Sequence, residues 1–140
     1  MGTDIDGTIL PKSGIVSERT KAALAALGEA GVPLVLVTAR PPRWVDRVAQ
    51  QLGVTGTAVC ANGAVDYDLA SGSVIDAITV PAETLLEMAS LLREAIPGVH
   101  LAVETTSGIA MEPGFPTRDN NLTAREVAPF EHLEAVHDNS

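Results

Sequence analysis

The residues whose types and spacing best suit chemistry open the chain: Asp4-Ile5-Asp6-Gly7-Thr8. In an extended strand, positions i and i+2 point the same way, so Asp4 and Asp6 share a side. Two carboxylates this close repel unless a cation or a shared proton offsets their charge. A hard divalent ion such as Mg2+ does this through oxygen ligands, and it also bridges phosphates. Asp4 and Asp6 are therefore the candidate metal ligands, and Mg2+ is the candidate cofactor. One carboxylate can then attack phosphorus and carry the phosphoryl group. The other can hand a proton to the leaving oxygen and later take one from water. Gly7 lets the backbone turn sharply just past the strand. Asp and Gly are also ordinary turn residues, so a solvated surface turn competes for the same five positions.

The following segments must place this pair. Ser17 is positioned to cap a helix over about Glu18–Ala30, with Gly31 as its stop. Val32–Val37 is a continuous apolar run, as a strand buried on both faces of a parallel sheet requires. Pro41-Pro42 opens a second helix over Arg43–Leu52, with Trp44, Val45, Val48, Ala49 and Leu52 along its packed side. Thr57–Cys60 reads as a third strand. Helical crossovers between these strands predict a parallel sheet with right-handed connections.

Ligands of open α/β sheets bind at the C-terminal strand edge, so residues just past the second and third strands matter. Thr38 offers a hydroxyl that reaches the same crevice, or alternatively a cap for the following helix. Arg40 can clamp a phosphate or carboxylate of the substrate bidentately, or serve as a solvated loop charge. Asn62 can orient substrate or the first loop; Asn62-Gly63 is equally a turn signal.

Beyond Cys60, Ala64–Leu69 and Val74–Val80 predict a hairpin around Ala70-Ser71-Gly72. A third helix is expected over Ala82–Ile96, stopped by Pro97-Gly98. Strands are expected over Val99–Glu104 and Gly108–Glu112, then a helix near Leu122–Val127 or later. The boundary falls near residue 78, giving a layered α/β part over 1–78 and a smaller α+β part over 79–140.

Composition excludes several classes. The chain has 140 residues, 46% of them hydrophobic, which suits about one packed domain rather than disorder. Nine Lys and Arg against 18 Asp and Glu give a net charge of −9. This argues against nucleic acid and against anionic lipid. No apolar run approaches the ~20 residues of a membrane helix, and the cytoplasm is the expected location. Cys60 is the single cysteine, so an intrachain disulfide is excluded, and the residue reads as a core thiol. His100, His132 and His137 lack ligand spacing for zinc. Trp44 is expected to pack, and Glu104 and Glu112 to be solvated.

Taken together, Asp4-x-Asp6-Gly7-Thr8, the apolar Leu34–Val37 followed by Thr38-Ala39-Arg40-Pro41, and Asn62-Gly63-Ala64 with its hairpin resemble the haloacid dehalogenase-like hydrolases, Cof-type subgroup. The resemblance covers residues 3 to about 115. It implies an incomplete, doubly wound α/β parallel sheet carrying part of an inserted α+β cap. It also implies a Mg2+-dependent phosphatase that hydrolyses a small phosphorylated metabolite, sugar phosphate-like, through an aspartyl-phosphate. In that pattern Asp4 is the nucleophile and a metal ligand, and Asp6 is the acid/base with its backbone carbonyl on the metal. Thr38 binds the transferring phosphoryl group.

The chain departs from the pattern in two motifs. No lysine follows Lys21, and no acidic pair follows a further apolar strand. The expectation is the front part of a longer enzyme, impaired alone and prone to self-association or segment swapping. The alternative is a non-catalytic remnant or interaction module that keeps the fold.

Overall fold

The computed structural model describes residues 1–116 and the strand at 125–127. The chain divides into two compact units, Met1–Ile78 and Thr79–Ser140.

The first unit is a five-stranded sheet with two helices. Its elements are β1 (Gly2–Asp4), α1 (Glu18–Glu29), β2 (Val35–Val37), α2 (Pro42–Leu52), β3 (Thr57–Cys60), β4 (Val65–Asp68) and β5 (Ser73–Ala77), in the sheet order β1-β2-β3-β4-β5. The first three strands run parallel, with Asp4 opposite Val37 and Val37 opposite Val59. β4 and β5 add an antiparallel hairpin. This is the mixed α/β fold with a parallel-led sheet that the sequence pattern predicts.

Local chemistry sets the helix ends. The Ser17 hydroxyl accepts from Thr20 N at 3.1 Å and caps α1. Pro42 starts α2 where a missing N–H costs nothing, and Gly53 at φ 66° ends it in a left-handed turn. β2 is shorter than the apolar run suggests. Pro33 cannot donate to a ladder, and its carbonyl takes the N-terminal ammonium of Met1 instead.

Both helices pack on one face of the sheet. Ile5, Leu36, Ala58 and Cys60 point inward from three strands and meet Leu24 of α1 and Val45, Val48, Ala49 and Leu52 of α2. Two successive right-handed crossovers in one direction put their helices on the same side. The alternate residues face away from that core: Gly2, Asp4 and Val37 are exposed. The expectation that the second strand is buried on both faces is therefore corrected, since Val37 keeps 44% of its surface. Trp44 is also corrected. It sits one position off the packed stripe, is exposed, and lies under the Arg43 guanidinium at 5.2 Å.

The second unit contains α3 (Ala82–Ala95) and a three-stranded sheet of β6 (Ala102–Thr105), β7 (Gly108–Met111) and β8 (Arg125–Val127). Leu85, Leu86 and Ala89 of α3 pack with Val103 and Ala110. Glu112, expected in solvent, is buried. Its carboxylate accepts from Leu101 N at 2.8 Å and from Arg93. Residues 125–127 form a strand parallel to β7 where a helix was expected; the rest of that expectation lies outside the described residues. Among the described residues no helix is long and apolar enough to cross a membrane.

Candidate active site

β1 delivers the acidic pair. Thr3 and Ile5 are buried, while Asp4, the last residue of β1, and Asp6, just past it, are exposed. Past Asp4 the chain turns tightly: Gly7 N donates to Leu10 O at 2.9 Å and Leu10 N to Ile5 O at 2.9 Å. Gly7 has φ 79°, a conformation that glycine adopts without penalty. This bridge leaves the Asp6 carbonyl out of the turn's own hydrogen bonding. The turn also brings Thr8 back, so its hydroxyl donates to Asp4 Oδ2 at 3.1 Å. The sequence motif contains Thr8, but nothing in its spacing assigns that partner.

β2 and β3 deliver the remaining candidates. Thr38 follows the residue opposite Asp4, and it is buried. It does not cap α2. Its Oγ1 accepts from Arg40 N at 3.2 Å in a local turn, and its hydroxyl proton stays available to donate. Thr38 N donates to Val59 O at 2.9 Å, and Asn62 N donates to Thr38 O at 3.2 Å. Ala61 N donates to Arg40 O at 2.9 Å, so the loop after β3 clasps the loop after β2. Ala61 and Asn62 adopt φ 49° and 58°, which side chains other than glycine rarely accept. Asn62 is exposed, and what it visibly supplies here is its backbone.

Arg40 has a partner that neither sequence reading anticipated. Its Nε donates to Asp6 Oδ2 at 2.8 Å and its Nη2 to Asp6 Oδ1 at 2.7 Å. The hydrogen bonds from Arg40 hold the Asp6 carboxyl below the ordinary carboxylate range, against a smaller opposing effect of burial. The same pairing makes Arg40 harder to deprotonate. Asp6, Arg40, Thr38 and Asn62 thus form one hydrogen-bonded chain, with Asp4 joined by strand register. Cys60 lies fully buried, and burial with nearby Asp46 and Asp66 pushes its thiol up to about 11, which suits a core residue rather than a nucleophile.

The donor set suits a hard cation. The Asp4 carboxylate is exposed and the Asp6 carbonyl is spared by the turn, and both are oxygen ligands of the kind Mg2+ takes alongside waters. Among the described residues no third carboxylate joins them, so these would hold part of its shell.

The family model for haloacid dehalogenase-like hydrolases matches residues 1–139. The chain belongs to the haloacid dehalogenase-like hydrolase family. Among the relatives of this chain is the pyridoxal phosphate phosphatase YbhA of Escherichia coli, 32% identical over 91 residues, which are 65% of this chain and 34% of the relative. A haloacid dehalogenase-like hydrolase from B. subtilis superposes with a TM-score of 0.66 at 27% identity, over 79% of this chain and 38% of that one. A subclass IIB sugar phosphatase of the same superfamily shares the fold with a TM-score of 0.69 at 19% identity, over 96% and 54% of the two chains. This haloacid dehalogenase-like chain spans about a third of the length of the curated relatives it matches.

Proposed function

We propose that the chain is part of a Mg2+-dependent phosphatase that hydrolyses a small phosphorylated metabolite through an aspartyl-phosphate on Asp4. One observation carries the reading: the exposed Asp4 carboxylate, steadied by Thr8, stands at the end of β1 opposite Val37, the residue before buried Thr38. A relative that acts on pyridoxal phosphate and a fold neighbour that acts on sugar phosphates support the substrate class.

In this proposal an Asp4 oxygen attacks phosphorus, and the ester oxygen leaves with its electron pair. Asp6 gives that oxygen a proton. Water then attacks the acyl phosphate, Asp6 takes its proton, and phosphate and free Asp4 are restored. Thr38 donates its hydroxyl proton to the phosphoryl group. Arg40 and Asn62 contact the substrate from the two loop ends. Mg2+ would be held by the Asp4 carboxylate and the Asp6 carbonyl, and when bound it supplies charge offset for the phosphoryl oxygens.

The reading also assigns Met1–Ile78 to the family's core and Thr79–Ser140 to its cap and tail. It places the protein in the cytoplasm, where such metabolites turn over. The bare face of the sheet carrying Val37 favours self-association of this chain. Sedimentation that shows a monomer at every concentration contradicts that last point.

The phosphatase test is phosphate release from an aryl phosphate. It should require Mg2+ and vanish in Asp4→Asn. Activity that survives this substitution eliminates covalent catalysis by Asp4. Phosphate binding with no release by the unsubstituted chain supports the alternative, a non-catalytic module.

A further inference from the structure

We propose that Arg40 is shared between two anions: it grips Asp6 in the free protein and passes to the phosphoryl group when substrate arrives, which frees Asp6 to face the leaving oxygen. The inference rests on the phosphatase reading and gives Arg40 two partners in turn, the Asp6 carboxylate and the phosphoryl group.

Three observations carry it. First, the grip occupies both Asp6 oxygens, Oδ1 at 2.7 Å and Oδ2 at 2.8 Å. A carboxylate held through both oxygens is fixed facing the guanidinium, so it cannot swing toward a leaving group while the grip lasts. Second, the Arg40 backbone is pinned by Thr38 Oγ1 at 3.2 Å and Ala61 N at 2.9 Å. The guanidinium can therefore swing on its own side-chain torsions while its root stays beside the phosphoryl-binding Thr38. Third, the pair is open, with the Asp6 side chain 55% exposed and that of Arg40 27%. Exposed ion pairs are weak, and the same planar fork that matches a carboxylate matches phosphate oxygens. A phosphoryl dianion is thus able to compete for it.

The test uses inorganic phosphate and the full 140-residue chain in Mg2+. NMR follows the Arg40 side-chain N–H signal and the Asp6 carboxyl signal as phosphate is added. Both should move along one binding curve. Asp6→Asn removes the competitor and should tighten phosphate binding about ten-fold. That gain should disappear in an Arg40→Gln background, which separates partner exchange from simple loss of a nearby negative charge. Where Arg40→Gln unfolds, Arg40→Lys replaces it; it keeps the charge and loses the fork, and the gain should shrink rather than persist. An Arg40 signal that stays still at saturating phosphate, or an equal gain in both backgrounds, overturns the inference. Phosphate release from an aryl phosphate with Arg40 unmoved overturns it and leaves the phosphatase reading intact. Arg40 movement without any release overturns that reading and leaves the exchange of partners standing.

Discussion

Tyr67 donates its hydroxyl to Asp46 Oδ2 at 3.0 Å, tying strand β4 to helix α2. Tyr67 belongs to the main apolar cluster, so the bond is made at the edge of the core. Burial, then the hydrogen bond to Asp46, pushes the phenol up to about 12. A folded-state value above the unfolded ~10 contributes stability that is complete below pH ~10 and is lost as pH rises toward 12. Tyr67→Phe should cost about 1 kcal/mol at neutral pH, in line with a lost hydrogen bond. It should also remove the tyrosine part of the alkaline decline. Urea melts from neutral to strongly alkaline pH check this, and parallel curves for the two proteins would refute it.

Ala61 holds φ 49° directly after β3. A left-handed alanine costs roughly 1–2 kcal/mol, part of which glycine returns through its larger unfolded-state entropy. Ala61→Gly should therefore stabilise the chain by about 0.5–1 kcal/mol in urea melts. A loss of stability would mean that the residue is unstrained.

Cys60 is buried and its thiol is held at about 11, so it should stay unreactive at pH 8. A thiol reagent should label it slowly in buffer and stoichiometrically in urea. Because it is the single cysteine, the labelling rate reports opening of the first unit. Rapid labelling without denaturant would count against the packing of β3.

Glu112 joins two parts of the second unit through Leu101 N and Arg93. Glu112→Ala removes a buried carboxylate that accepts from the half-buried Leu101 amide and from Arg93, and should cost about 1.5–3 kcal/mol. Thermal melts measure it. A change within error would mean that water replaces the carboxylate freely.

Regular elements are legible where period and caps agree. Ser17, Pro42 and Gly53 mark ends that the structure keeps, and Thr57–Cys60 is the same four residues in both readings. Three things resist reading from the chain alone. Arg125–Val127 is short and polar, so its strand depends on β7 as a template. The exposure of Trp44 depends on a rotation of one helical position. The pairing of Arg40 with Asp6 spans 34 positions and exists only because β1 and β2 align Asp4 with Val37. The same registration explains why the candidate site residues were nameable by type while their partners were not.

The alternation along β1 has one more effect. Asp4 emerges on the side of the sheet that α1 and α2 leave bare, next to Val37. Any layer that settles there to shield the valine also becomes a wall beside the Asp4 carboxylate. Covering the valine and screening the proposed nucleophile from water are thus a single event, and variants of Val37 will disturb both together.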